Sequence, residues 1–536
     1  MQDSLLIELL TEELPPKSLL KLSQAFCKGI FEGLKEQGLV AADADYAKAV
    51  TEYATPRRLA ALIKDVLDKQ PERTIERKGP ALAGALDQNE KPTPALIGFA
   101  RSCGVAVEKL EKQSDKKGEY FVFRARQPGE ALEKHLAAIV AGVIKKLPVA
   151  KLMRWRGGEV EFVRPVHGLI MLHGGRIVPG EVLGLKSSNK TSGHRFLAGG
   201  ELVIAKADDY ERALEQQGNV IVKHEARCDS IAGQLDAAAR GLGDSVTWSV
   251  GDNIELLSEV ASLVEFPVVY AGSFDAAYLE VPQECLIVSM QQHQRYFPLQ
   301  QSGRLLPRFL FVSNNKADDP AHIIRGNERV LRARLSDAGF FFEQDKKVKL
   351  EDRAPKLANV VYHNKLGSQL QRVERIRKLA VEVAERLKEM KFAADIKQVE
   401  RAARLCKADL LTGMVGEFPE LQGVMGYYYA LHDGEALEVA QAIREHYERV
   451  PRSATGICVG LADKLDTLVG IHGVGLIPGG DKDPFGLRRA ALSVLRTLME
   501  NNLSLNLMQL LEIAEAQFPA GLIAQDTVPA LYDFML

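Results

Sequence analysis

Between residues 367 and 390 the apolar side chains Leu370, Val373, Ile376, Ala380, Val383, Leu387 and Met390 recur at steps of three and four. At 3.6 residues per turn, that spacing lines them along one face of a helix and leaves polar residues on the other. Such a stretch must pack its apolar stripe against other elements, so it predicts a helical domain around it. Further helical stretches run to about 500, interrupted by the Gly- and Pro-rich segment 473–484.

Upstream the pattern changes. From about 160 to 335 strand-like runs dominate, at 161–172, 201–205, 220–222, 263–271 and 309–312. The last is an unbroken apolar run between Pro307 and Asn314-Asn315, which suits a strand covered on both faces. The first 160 residues mix both patterns. Leu5 to Leu10 reads as a strand closed by Pro15-Pro16, and Leu19, Leu22, Phe26, Ile30 and Leu34 then recur at helical spacing up to Gly38. Thr55-Pro56 predicts the start of another helix, with Thr as cap and Pro at its first position. Residues 79–98 read as loop-rich.

A chain of 536 residues exceeds what one core normally supports. The expected class is α+β and multidomain. A mixed α/β body covers 1–160, a strand-rich domain 161–338, an all-α domain 339–500, and the start of a further helical domain 501–536. Leu531, Phe534 and Leu536 read as a helix with nothing to pack against, as in a domain cut off at its start.

The net charge of −2, from 69 basic and 71 acidic side chains, excludes a uniformly basic nucleic-acid binder but leaves room for local basic patches. Cys27, Cys103, Cys228, Cys285, Cys406 and Cys458 are far apart with no CxxC pair. That spacing fits neither a four-ligand zinc site nor a dense disulfide scaffold, and points to isolated thiols in a reducing compartment. The N-terminus carries acidic residues where a signal peptide needs basic ones, and its apolar run is broken by Glu8. No stretch approaches the roughly 18 uninterrupted apolar residues of a membrane span. The expectation is a soluble, cytoplasmic protein without membrane contact.

Nucleotide and hydrolase signatures are missing. There is no Walker A sequence, and Gly473, Gly475 and Gly479 miss the GxGxxG spacing by one residue. No HExxH or GxSxG occurs. Three basic features remain. Arg57 and Arg58 follow Thr55, where a helix N-terminus disfavours cations, so the pair suggests a nearby anion such as phosphate; the alternative is pairing with Glu52 or another acid. Lys145, Lys146, Lys151, Arg154, Arg156 and Arg164 surround Trp155, a mixture suited to an RNA backbone and a stacked base. The alternative is a solvated loop with Trp155 in the core. In 323–335, helical spacing puts Arg325, Arg329 and Arg332 on one face and Ile324, Leu331 and Leu335 on the opposite one. That stripe either contacts phosphate or is an ordinary solvated face.

Several strings taken together resemble a known family: LLIELLTEELPP at 5–16, TPRRLA at 55–60, MRWRGGEVEFVRP at 153–165 and GHRF at 193–196. LVEFPVVYAGSF at 263–274, SMQQHQRYFPL at 289–299 and GNERVLRARLSDAGFFFEQD at 326–345 follow. KADLLTGMVGEFPELQGVMGYYYA at 407–430 and LADKLDTLVGIHGVGLIPGGDKDPFGLRRAA at 461–491 close the set. In this order they resemble the β subunit of bacterial two-subunit glycyl-tRNA synthetase. The resemblance implies an α2β2 ligase that charges tRNA(Gly) at the expense of ATP. ATP and Mg are expected at the α subunit, with no cofactor, metal or self-contained catalytic residue on this chain. It also implies that the middle of the chain is B3/B4-like, that the helices after 340 form an HD-like domain, and that a C-terminal anticodon-binding domain is largely lacking. Under this reading Arg57, Arg58, Arg154, Trp155, Arg156, Arg325, Arg329 and Arg332 are the candidate tRNA contacts.

HD phosphohydrolases are the rival reading, because they hold a metal with a His, a His-Asp pair and a later Asp. Those positions fall here on Arg372, Ala408-Asp409 and Asp463. A cation and a methyl group replace the imidazoles that a borderline or hard cation needs. The expectation is a degenerate site in which Asp409 and Asp463 pair with Arg404 or Lys464. The literal His432-Asp433 dipeptide precedes Gly434 and reads as a turn.

Overall fold

Every residue from Leu5 to Thr11 is buried, because the strand they form lies inside a sheet covered on both faces. The computed structural model describes residues 2–86, 91–115, 118–149, 151–155, 160–248, 253–389, 392, 394–480 and 482–536. Its first sheet contains β1 (Gln2–Thr11), β2 (Val50–Thr55) and β3 (Arg58–Leu67). A second, three-stranded sheet is built from β4 (Arg73–Ala81), β5 (Glu111–Asp115) and β6 (Gly118–Gln127). β7 (Val166–His173) and β8 (Arg176–Ile177) return to complete the first, whose antiparallel order is β8-β7-β1-β3-β2.

Side chains alternate across that sheet. Leu5, Ile7, Leu9, Leu59, Ala61 and Ile63 share a core with Phe26, Ile30 and Leu34 of α1 (Leu19–Glu36) and Val140 and Ile144 of α2 (Leu136–Lys146). Leu6, Ala60, Leu62, Ile170 and Leu172 lie under Tyr210 and Leu214. The strand and helix expected over 5–34 are therefore present.

The helix expected from Thr55 is not. Thr55 pairs with Arg58 in a hairpin that leaves only Pro56 and Arg57 in the turn. Pro presets its backbone for a β-turn as readily as for a first helical turn, and pairing of β3 with both β1 and β2 decides between them. The loop expected over 79–98 is likewise corrected. Residues 73–81 are β4, and Pro94–Ser102 is a helix whose Leu96 and Ala100 pack with Leu110 and Phe121.

Of the strand candidates downstream, 161–172 divides at Pro165 into Val160–Phe162, which pairs with Met153–Trp155, and β7. Glu201–Val203 pairs with Lys190–Ser192. Val220 and Val222 are buried but their segment makes no strand, and of 263–271 only the part from Val268 is strand, within Val268–Ser273. The 309–312 run lies within the strand Arg304–Ser313, which follows a turn at Ser302 and Gly303 where both φ values are positive, 51° and 78°.

Two compact units emerge, one of residues 1–270 and 310–320, the other of 271–309 and 321–536. The cuts expected at 160, 338 and 500 fall elsewhere for identifiable reasons. β7 pairs with β1 across the first. A helix running from Ala321 to Asp345 spans the second. At the third, Leu531 is fully buried, because the helices Leu507–Glu515 and Thr527–Met535 pack on the helix Ala454–Gly473. The terminal helix thus has a partner.

In the second unit we number α3 (Ala321–Asp345), α4 (Gln369–Glu389), α5 (Ile396–Leu405), α6 (Leu437–Glu445), α7 (Ala454–Gly473) and α8 (Leu487–Glu500). The stripe read in 367–390 is realised in α4, where Val373, Ile376, Ala380, Val383 and Leu387 are buried; Met390 lies outside the described residues. α7 is buried on nearly every side, as its apolar, Gly-containing sequence requires. Among the described residues, no helix is long and apolar enough to cross a membrane.

Candidate functional site

Arg58 lies in the interior of the first unit. Its side chain has no solvent exposure, its Nε lies 3.3 Å from Glu265, and Nη2 donates to the Ser192 carbonyl at 3.0 Å. Glu265 also accepts from Thr55 Oγ1 at 2.6 Å. Nearby, Tyr210 donates to Glu8, and the buried Arg227 donates to the carbonyls of Ala54, Ile221, Val222 and Ala261. Burial, reinforced by Arg58, pushes the Arg227 guanidinium down to about 10, despite the opposing Glu265. The alternative of pairing with an acid is the one realised for Arg58, with Glu265 rather than Glu52, which accepts from Tyr46 at 2.8 Å. Arg58 is thereby corrected from a candidate RNA contact to a structural ion-pair partner.

Arg57 is half-buried at the hairpin turn. Its backbone N–H donates to Thr55 Oγ1 at 3.2 Å. Its charge acts on Glu12, which accepts from His167 and Arg195 at 2.9 Å each. Burial opposes ionisation of Glu12, but these hydrogen bonds and the fields of Arg195 and Arg57 hold its carboxyl below the ordinary value.

Arg154 is exposed and paired with Glu161 on the neighbouring strand, while Trp155 packs partly against the core. Arg164 Nε donates to the Glu13 carbonyl at 3.0 Å. Arg156 lies outside the described residues. The basic-aromatic mixture is thus divided between surface pairing and core packing.

Arg325, Arg329 and Arg332 are all exposed along α3, and the opposite side of that helix buries Leu331, Leu335 and Ala338. Arg325 Nη2 lies 3.4 Å from His322 Nδ1. Among the described residues, no carboxylate pairs with Arg329 or Arg332 within 4 Å. Of the sequence candidates, these three form a continuous basic stripe anchored by its apolar side.

Of the HD-like positions, Arg372 and Asp463 meet, in an ion-pair cluster. Arg372 Nη2 donates to Asp463 Oδ1 at 2.9 Å and to Thr467 Oγ1 at 2.7 Å. Lys407 Nζ reaches the same Asp463 oxygen at 3.1 Å and His446 Nε2 at 2.9 Å. The Lys407 ammonium also sits 3.9 Å from the Tyr447 ring centroid. Burial would raise the Asp463 carboxyl, but Lys407 and Arg372 hold it well below the carboxylate range. His446 is kept neutral by burial and by Lys407; its Nδ1–H donates to the Ile443 carbonyl at 2.7 Å.

Asp409 takes no part in that cluster. Its Oδ2 accepts from the backbone N–H groups of Gly423 and Gly426, at 2.5 and 3.2 Å, while Oδ1 is buried without a partner. Burial pushes this carboxyl up to about 6, against the pull of the Gly423 N–H. Both pairings expected from the sequence are corrected: Arg404 is exposed, and Lys464 Nζ donates to the His446 carbonyl at 2.8 Å. With Arg372 and Lys407 on Asp463 and the Ala408 methyl beside Asp409, the donor set does not fit a divalent ion. The literal His432-Asp433 pair ends a short helix, followed by Gly434 at φ 85°, and Asp433 accepts from the Leu350 N–H at 2.7 Å.

Sequence reasoning missed Lys407 and His446. The first adjoins Ala408-Asp409 in the sequence, and its place there was the available signal. His446 had none, since α6 and α7 bring it to the cluster only by packing.

The family described as glycyl-tRNA synthetase beta subunit matches residues 5–536. The glycine–tRNA ligase beta subunit of Neisseria meningitidis serogroup C / serotype 2a is 51% identical over 99% of this chain and 76% of its own length. The corresponding subunits of Aromatoleum aromaticum and Ralstonia nicotianae are 50% and 48% identical, each over 99% of this chain and over 76% and 77% of their own lengths.

Proposed function

The chain belongs to the glycyl-tRNA synthetase beta subunit family, and from that premise we propose that it is the RNA-handling partner in an α2β2 ligase. In this reading it binds tRNA(Gly) and supports glycylation in the cytoplasm, while ATP and Mg are held by the α subunit. The B3/B4-like and HD-like readings of its middle and helical regions belong to the same proposal.

The observation that carries the RNA contact is the stripe of Arg325, Arg329 and Arg332 on α3. Guanidinium groups contact phosphate oxygens bidentately and keep their charge at every physiological pH. Because Leu331 and Leu335 fix the helix on its opposite side, the three cations are presented in a set register rather than on a mobile loop. Phosphate contacts of this kind position a nucleic acid without reading its sequence. Arg57 and the paired Arg154 are secondary candidates, and Arg58 is withdrawn because its guanidinium cannot reach solvent.

The test is charging of glycine tRNA by the α subunit alone, by this chain alone and by the mixture. Activity only in the mixture is expected. Charging by this chain alone would overturn the reading.

A further inference from the structure

A cavity of about 600 Å³ opens beside Asp463, a size within the range that encloses small-molecule ligands. Its wall includes Arg372, Lys464, Arg449, Arg489 and Phe485. Two carboxylates also line it, Asp463 and Glu448. Asp463 is already matched by Arg372 and by Lys407 behind the wall. That leaves Glu448 as the lining carboxylate facing Lys464, Arg449 and Arg489. Among the described residues, neither Arg449 nor Arg489 has a carboxylate within ion-pair distance. The cavity therefore carries an excess of positive charge held at converging positions.

Lys464 is a half-buried cation of this wall. Its ammonium donates one hydrogen bond to the His446 carbonyl and keeps two further N–H donors. Burial lowers its pKa to about 8, with Lys407 adding to that effect against Asp463. An anion in the cavity would relieve both. The backbone N–H groups of Leu487 and Arg488 at the start of α8 are already taken by Asp483, so the side chains form the anion's seat. Phe485 adds an apolar surface: the residue is 43% exposed, with His363 against its ring at 6.0 Å between centroids.

We propose that this cavity binds the phosphate group of a nucleotide through Lys464, Arg449 and Arg489, with the base against Phe485. Guanidinium forks suit phosphate oxygens, and base-aromatic stacking tolerates any base. The site is separate from the α3 stripe and rests on no assumption about charging.

The purified chain is titrated by calorimetry with AMP, with inorganic phosphate and with a short single-stranded RNA. Saturable binding of AMP or the RNA is expected, with phosphate competing; the AMP and RNA arms distinguish a free nucleotide from one within a strand. Arg449→Ala and Arg489→Ala should each weaken binding at least about tenfold, the worth of one charged hydrogen bond. Both residues are exposed, so an unchanged melting temperature is expected and separates loss of binding from loss of fold. No saturation by any probe below roughly 1 mM, or undiminished binding by the double variant, would overturn the proposal. Charging is not the readout, so failure here leaves the tRNA-handling reading standing.

Discussion

Arg58 faces Glu265 at 3.3 Å with neither side chain open to solvent. The two belong to strings far apart in the chain, TPRRLA and LVEFPVVYAGSF, that sequence reading treats as separate. Folding makes them one charge pair, extended by Thr55 on Glu265 and by Arg227 beneath β2.

Removing one partner of a buried pair leaves the other charged and desolvated, which costs about 3–5 kcal/mol. Glu265→Ala should therefore destabilise the first unit by that amount in urea unfolding. A loss under about 1 kcal/mol would mean that the pair carries no such weight.

Asp409 titrates in the opposite sense to a salt-bridged acid. Its folded pKa of about 6 lies above the ordinary 3.8. Between those values the folded state holds a proton that the unfolded chain has released, so stability falls as pH rises through this window and stays lower above it. The component amounts to about 3 kcal/mol for a shift of this size. Asp409→Asn preserves an acceptor for the Gly423 and Gly426 N–H groups and has no proton to lose. Unfolding free energies at pH 4.5 and 7 should thus differ less in the variant than in the parent, and an equal difference would refute the assignment.

Replacing Arg325 and Arg329 together with Ala should weaken tRNA binding without changing the melting temperature, since both side chains are exposed. Each lost phosphate contact removes about 0.7–0.9 from the slope of log affinity against log salt, so the slope should fall by about 1.5. Arg176→Ala, whose charge is matched by Glu133, is the control expected to change it little. Equal slopes in the double variant and the parent would make the stripe ordinary surface.

Leu531→Ala tests the seat of the terminal helix. The side chain is fully buried, so truncation should cost about 2–5 kcal/mol. A change within about 0.5 kcal/mol would show that the helix is not docked in solution.

Periodicity made several elements legible. The strand at 5–10, the helix at 19–36 and the amphipathic helix at 369–389 bury the residues their patterns specify. The basic stripe opposite Leu331 and Leu335 was readable for the same reason: one helix fixes both faces locally. The hairpin at 50–67 was not, because Thr-Pro serves a turn and a helix start equally and only the pairing of β3 with β1 settles the matter.

Family membership was legible in ordered strings that span nearly the whole chain. The sequence by itself could not determine where charges reside. Whether Arg58 meets RNA or Glu265, and whether Asp463 meets Lys464 or Arg372 and Lys407, depends on contacts between distant segments. Those contacts exist only once packing has removed the side chains from water, since desolvation is what commits a charged group to a partner. Tertiary structure therefore decided which of the basic residues remain free to bind, and it placed Arg449, Lys464 and Arg489 around one cavity.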